Sequence, residues 1–480
     1  MSSPLPTSPR HPDLVLALVA LAQLLIVLDA TIVNVALPAI QDDLRLSDQE
    51  LQWTINAYTL AFGGFLLLGG RAADLFGRRR LFVAGTLLFT VASALNALAE
   101  SGTLLIAGRA LQGVGGALVS PAALSIVTTT FPEGEPRTRA LAIWGAVSAA
   151  GGAVGLLLGG LLTEWLSWQW IFLVNLPIGL FAAAAAARVV PESRADDVRG
   201  FDAPGAVTVT AGMVAVVFAI TKAESWGFGD VRTIAVAAAG AVLLAVFVAN
   251  ERRQAEPLLR LAIFRRRTLA TANAAMLLAG GAVFGMFYFG SLYLQRVLGL
   301  SPVEAGVAFL PFTVMIVAGA AFAQRLVGRT SAKEPILLGL GFATAGLLWY
   351  AQLDADGSYL ADVLGPIVLI AFGMGNVFVA LTLVATAGVA AHEQGLASGI
   401  FTSSQQVGGA LGLAILGTVA ADVAASSLAD GVVPLQALVD GFSVALYVGA
   451  ALTLTAMVLI LAALPRRSAS VDPAAAVTVV

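Results

Sequence analysis

The chain is written in long apolar runs broken by short clusters of charge, glycine and proline. Fourteen such runs stand out, at 14–38, 51–70, 82–99, 104–130, 140–162, 169–187, 204–221, 231–250, 269–294, 303–324, 335–352, 363–387, 395–420 and 441–464. A bilayer core about 30 Å thick takes roughly 20 helical residues, so these runs are of the length that crosses. Strands of a membrane barrel are about ten residues long with alternating polarity, whereas these runs are apolar on every face. The pattern predicts an all-α, polytopic membrane protein of 14 transmembrane helices.

Composition agrees, since 59% of the 480 residues are hydrophobic and only 11% are charged, with a mean hydropathy of +0.90. A water-soluble domain has no interior large enough to hide that much apolar surface. Cysteine is absent, which excludes disulfides, thiolate nucleophiles and thiolate metal sites. The two histidines, His11 and His392, sit at predicted membrane edges far apart in sequence, so no metal is expected. A Walker loop is missing, so ATP is not the energy source within the chain. Nothing marks a membrane hydrolase, and the reading is of a protein that is not an enzyme and needs no cofactor. The first run is too long for a signal-peptide core and is read as a permanent helix.

Charge placement gives the orientation. Short cytoplasmic loops carry the excess of Lys and Arg. With an even number of spans both termini share a side, and twenty-one of the 26 basic residues fall there. Four, Arg45, Lys222, Arg232 and Arg296, fall opposite, and Arg109 lies within a span. Both termini are therefore expected in the cytoplasm, with the chain in a bacterial inner membrane; the scarcity of lysine beside abundant Ala, Gly and Val suggests a high-GC genome. The basic loop 251–268 suits anionic lipid, not nucleic acid.

The chain also repeats itself. Gly70 to Arg78 aligns with Ala321 to Arg329, which places spans 1–6 over spans 9–14. The organisation expected is a cytoplasmic tail 1–13, a six-helix bundle 14–187, a linker 188–203, two intervening helices 204–250, a basic loop 251–268, a second six-helix bundle 269–464 and a tail 465–480. Two similar bundles with a cavity between them are what alternating access requires.

Four segments carry a specific resemblance. The loop from Gly70 through Asp74 and Gly77 to Arg78 resembles the signature loop of the major facilitator superfamily. Leu28-Asp29-Ala30-Thr31-Ile32-Val33-Asn34 through Pro38, Arg109-Ala110-Leu111-Gln112-Gly113-Val114-Gly115-Gly116, and Trp168-Gln169-Trp170 through Asn175 and Pro177 are similar to helix 1, 4 and 6 segments of its fourteen-helix drug:proton antiporter branch. Gly151, Gly155, Gly159 and Gly160 follow that branch's helix 5 motif, with Leu156 in place of the usual Pro, and between the two tryptophans of the helix 6 segment Gln169 stands in place of the usual Arg. The resemblance implies a proton-driven exporter of small, largely apolar drugs or antibiotics, working as a monomer on the transmembrane proton gradient. Alternatives are an exporter dedicated to one metabolite, lipid or siderophore, and a binding or signalling protein on a transporter scaffold.

Within that frame, Asp29 is the acid placed well inside a predicted span, where a charged side chain costs several kcal/mol. It is read as the proton-coupling group with Arg109 as partner, against a structural acid in a buried network and an arginine snorkelling to the interface. Asp74 is read as a cytoplasmic latch with Gly70, Gly77 and Arg78, against an ordinary basic loop. Glycines four apart permit close helix packing, the role expected of the helix 5 set. Asn34, Asn56, Tyr58, Gln112, Asn175, Tyr288, Tyr293, Asn376, Gln405 and Gln406 are candidates to line the substrate cavity, with helix-to-helix hydrogen bonding as the alternative. Phe287 and Phe289 join Tyr288 and Tyr293 in an aromatic cluster suited to a flat apolar ligand or to packing.

Overall fold

A computed structural model describes residues 12–132, 134–194, 202–254, 257–387, 389 and 394–464. His11, His392, linker residues 195–201, residues 1–11 and the tail 465–480 lie outside the described residues. Fourteen membrane helices account for the rest: α1 (Pro12–Leu44), α2 (Asp48–Phe76), α3 (Arg78–Ala97), α4 (Gly102–Thr130), α5 (Glu135–Trp165), α6 (Trp170–Val189), α7 (Ala203–Trp226), α8 (Val231–Glu251), α9 (Arg267–Val297), α10 (Pro302–Val327), α11 (Lys333–Tyr350), α12 (Tyr359–Thr386), α13 (Gln394–Ala429) and α14 (Pro434–Ala463). Each predicted run falls on one of them, and no strand occurs among the described residues.

Thirteen of these helices are long and apolar enough to cross a membrane by length and composition. The other, α11, has 18 residues and opens with Lys333, Glu334 and Pro335, which dilutes its apolar run. Its Lys333 is buried, and its Nζ donates to the Leu461 carbonyl at 2.9 Å, satisfying an otherwise orphaned acceptor in the last turn of α14.

Local chemistry sets the ends. Ser47 and Glu50 form a capping box at the start of α2, with Glu50 N donating to Ser47 Oγ at 3.3 Å and Ser47 N to Glu50 Oε2 at 2.9 Å. Ser301 and Glu304 repeat it at α10, each satisfying two orphaned donors. Gly77, at φ +112°, makes the turn from α2 to α3, a conformation for which glycine has no Cβ penalty. Helices α13 and α14 extend past the predicted runs, so Asp422 and Asp440 lie within helices. Both sit near the helix ends opposite the termini, where Asp440 accepts from Ser427 Oγ at 3.1 Å and Gln436 Nε2 at 2.9 Å.

Helices α1–α6 form one bundle and α9–α14 the other. At the end of the molecule away from the termini, the far end, they are joined by several contacts. Gln295 Nε2 donates to the Val35 carbonyl at 2.9 Å and Arg296 Nη2 to Gln41 Oε1 at 2.6 Å, tying α9 to α1. Gly160 of α5 lies against Pro302 and Val303, and Gly306 of α10 lies against the Leu156 carbonyl, where a Cβ would approach to 2.6 Å. Towards the termini end, Ile143 on α5 and Val314 and Val317 on α10 are exposed.

The α2–α13 seam runs the whole depth. Gly417 faces Gln52 near the far end, Ser403 Oγ donates to the Gly63 carbonyl at 2.9 Å midway, and Gly399 meets Leu67 towards the termini. Helix α7 lies across this seam, packing Val217, Met213 and Ile220 on Leu60 of α2 and Ala410 and Ala414 of α13. The intervening pair therefore contacts both bundles.

Candidate functional site

The centre of the first bundle holds a polar network in an apolar setting. On α1 the buried face runs through Ala22, Leu25, Asp29, Val33 and Ala36, so a stripe at helical spacing carries the acid inward. On α4, Arg109 and Gln112 are three apart and share a face. Asp29 is fully buried and Arg109 is 1% exposed.

Their geometry is tight. Arg109 Nη1 donates to Asp29 Oδ2 at 2.6 Å. Asp29 Oδ1 accepts from Gln112 Nε2 at 2.6 Å and from Asn175 Nδ2 at 2.8 Å. Arg109 Nη1 also reaches Gln112 Oε1 at 2.8 Å, and its Nε donates to the Thr54 carbonyl at 3.1 Å. The guanidinium lies over the Tyr58 ring, 4.3 Å from its centroid, a contact worth up to about 2 kcal/mol when desolvated. Ser93 and Asn96 of α3 complete the set, Ser93 Oγ accepting from Gln112 at 2.7 Å and Asn96 Nδ2 donating to Gln112 Oε1 at 2.8 Å.

Five helices thus meet on one ion pair. Asp29 accepts three hydrogen bonds as a carboxylate; as a neutral acid it must surrender one, because each neighbour it touches there is a donor. Arg109 has acceptors besides Asp29, so the carboxyl can lose its charge without leaving the guanidinium bare.

The helix 5 glycines bring α5 against the same stretch of α1. A Cβ on Gly155 would sit 2.8 Å from the Leu28 carbonyl and on Gly159 2.7 Å from the Ile32 carbonyl, while Gly151 faces Leu24 and Val27. Gly160 faces the other bundle instead. The backbone of Asp29's helix is therefore clamped between the network and α5.

The Gly70–Arg78 loop lies at the termini end. Arg78 Nη2 pairs with Asp74 Oδ1 at 3.0 Å within its own bundle, and Gly70 faces Pro121 of α4. Glu192, beyond α6, packs under the Gly77 turn; it accepts from Arg79 N at 3.2 Å and has the Arg79 and Arg80 guanidinium groups at 3.6 and 3.7 Å.

Other candidates divide. Gln112, Asn175 and Tyr58 join the Asp29 network, and Asn34, Gln405 and Gln406 are half-buried. Asn56 and Asn376 are fully buried, Asn376 Nδ2 donating to the Phe372 carbonyl of its own helix at 2.8 Å. Tyr288, Phe289 and Tyr293 are buried in the second bundle, where Phe289 packs on Phe442 and Tyr293 OH donates to the Asp354 carbonyl at 2.8 Å; Phe287 is half-buried against Phe309 and Phe312.

Sequence reading passed over Ser93, Asn96 and Glu192. The α3 residues had a signal, Thr86, Thr90, Ser93 and Asn96 at helical spacing, each of them buried. Among the described residues no three His, Cys, Asp or Glu side chains come together to hold a metal ion.

Two helical bundles joined at the far end and along the α2–α13 seam, with a charge pair sealed inside one of them, make a polytopic membrane protein. The chain belongs to the Major Facilitator Superfamily, whose family profile matches residues 19–413. It is 44% identical to the puromycin resistance protein of Streptomyces alboniger over 89% of this chain and 85% of that one. It is 41% identical to the cephamycin export protein of Amycolatopsis lactamdurans, covering 86% of each, and 37% identical to the tetracenomycin C resistance and export protein of Streptomyces glaucescens, over 84% and 75%. Among solved structures, its fold resembles a bacterial homologue of the human lysosomal transporter Spinster, with TM-score 0.67 and 17% identity over 95% of this chain and 97% of that one.

Proposed function

We propose that this protein exports small, largely apolar antibiotic-type molecules in exchange for protons, by alternating access of a cavity between its two bundles. The observation that carries the reading is the Asp29–Arg109 pair, buried in the first bundle and held by side chains from α3, α4 and α6 and a main-chain carbonyl of α2. A charged side chain in the membrane is costly, and Arg109 keeps Gln112 Oε1 and the Thr54 carbonyl as acceptors when Asp29 is neutral. Similarity to antibiotic resistance and export proteins supports the substrate class, and the family supports transport over a signalling role.

In the proposed orientation, with both termini in the cytoplasm of a bacterium, the far-end contacts close the outer face and the cavity opens inward. In the outward-open state a proton from outside reaches Asp29, weakens its hold on Arg109, loosens α1 from α4 and biases the bundles towards the inward-open state; its release to the cytoplasm as substrate binds restores the pair and favours opening outward. Lipid surrounds the single chain, which acts as a monomer. The 21-to-4 asymmetry in basic residues supports that orientation.

A susceptibility panel in an exporter-deficient bacterial host tests the reading. Expression should raise tolerance to several apolar antibiotics, and a protonophore should abolish the gain. Flat responses to every toxic compound would favour export of one endogenous metabolite.

A further inference from the structure

The base of the α7–α8 hairpin, at the termini end, holds two buried carboxyls that the Asp29 network does not use. Asp202 caps α7, accepting from Gly205 N at 2.8 Å and from Asn250 Nδ2 at 3.3 and 3.1 Å on its two oxygens. Glu251 ends α8, and its Oε2 accepts from Leu259 N at 2.8 Å. Both residues are 4% exposed. Glu251 Oε1 is buried without any donor. Asp202 Oδ2 and Glu251 Oε1 converge on the point where a Gly205 Cβ would be, the latter 2.9 Å from it.

No arginine or lysine among the described residues pairs with either carboxyl. Arg252, Arg253 and Arg260, the neighbours in sequence, are exposed. The same elements form an apolar cluster: Phe65, Leu67 and Leu68 from α2, Ala206 from α7, Phe247 and Val248 from α8, and Leu258 and Leu259 from the segment that follows. Asp196, Asp197, Arg199 and Glu256 lie outside the described residues, and Arg71 of α2 and Arg260 have partners of their own. Two carboxylates side by side repel, with no cation paired to either among the described residues, whereas one proton between them supplies the donor that Glu251 Oε1 lacks.

We propose that Asp202 and Glu251 form a proton-binding site in which Glu251 holds the proton on Oε1 and donates it to Asp202, fixing the 257–265 segment against both bundles. The proton comes from water at the termini end as hydronium, which leaves as water, and no covalent bond between heavier atoms changes. Leu259, whose amide is tied to Glu251, packs with Leu67 into the hairpin's cluster and also into the one built on Ile263, Ala397 and Ile400. The segment therefore bridges α2 of the first bundle to the start of α13 in the second. Loss of the proton sets the two carboxylates against each other; the repulsion turns the Glu251 side chain away from Asp202, and with that movement Oε2 leaves Leu259 N, releasing that bridge.

The test uses the full chain in lipid nanodiscs and needs no transport substrate. Infrared difference spectra across a pH titration should show a buried protonated carboxyl in the wild type that is lost in Glu251→Gln. In Asp202→Asn its frequency should shift, because its hydrogen-bond acceptor has changed; that variant gives the answer if Glu251→Gln does not fold. Hydrogen exchange of the 257–265 peptide, corrected for intrinsic rates, should rise as the proton leaves in the wild type and lose its pH dependence in Glu251→Gln. The proposal is overturned if no carboxyl band disappears in Glu251→Gln, or if the pH-dependent exchange persists there. It is also overturned if protection follows sodium or potassium concentration instead of pH, which would make the pair a metal-cation site.

Discussion

Replacing Asp29 with Asn removes a charge from the buried network while keeping its shape, and the cost can be worked from the contacts. An Asn oxygen can still accept from Gln112 and Asn175, but its amide nitrogen then faces Arg109 Nη1, donor against donor. Removing one partner of a buried ion pair costs about 3–5 kcal/mol. Arg109 retains Gln112 Oε1 and the Thr54 carbonyl as acceptors, which places Asp29→Asn near the lower end, at about 3 kcal/mol. Arg109→Met loses those bonds and the Tyr58 contact and leaves a carboxylate held by two amides, so it belongs near about 5 kcal/mol. The double variant carries neither charge. It should be no less stable than Arg109→Met alone, a coupling of about 3 kcal/mol against simple addition. Equilibrium unfolding of the four proteins in one bilayer mimetic measures this cycle. Strict additivity would refute the claim that the two charges are retained as a unit.

Three further outcomes are expected. Gly155→Leu should destabilise the first bundle by at least about 1–3 kcal/mol through overpacking, since even a Cβ there meets the Leu28 carbonyl at 2.8 Å, while Gly152→Ala, with nothing within 4 Å, should be nearly silent; thermal unfolding of both variants checks the contrast. In the naturally cysteine-free chain, Gln41→Cys with Arg296→Cys should cross-link through a short bis-maleimide and stop transport, and unimpaired transport after complete cross-linking would show that the far end need not open. Reporters fused after Arg80 or Arg266 should read cytoplasmic and those after Asp48 or Asp356 periplasmic; a periplasmic signal after Arg266 would contradict the orientation.

The helices were legible because a bilayer demands long apolar runs, and even α11 was recovered despite its polar start. Asp29 and Arg109 were legible as a pair because charge is rare at that depth and a rise of 1.5 Å per residue brings both within reach. Ser93 and Asn96 were not, since isolated small polar residues disappear into the average hydropathy of a span. Asp202 and Glu251 were hidden for another reason: they stand at opposite ends of a helical hairpin, and only its antiparallel packing brings them together. Phe289 shows the converse. Aromatic neighbours on a helix suggested a ligand surface, but burial of a face is decided by the partner helix, here α14 through Phe442.

The most direct measurement of proton coupling is uphill efflux from vesicles under an imposed pH gradient, compared with substrate binding on the same purified variants. A 100 mV potential supplies about 2.3 kcal/mol per proton, equivalent to a concentration ratio of roughly fifty for a neutral substrate, since each 1.4 kcal/mol is tenfold. Wild-type protein should build such a ratio, and Asp29→Asn should bind substrate yet only equilibrate it across the membrane. Full gradient-driven accumulation by Asp29→Asn would contradict the assignment and send the coupling proton through another group.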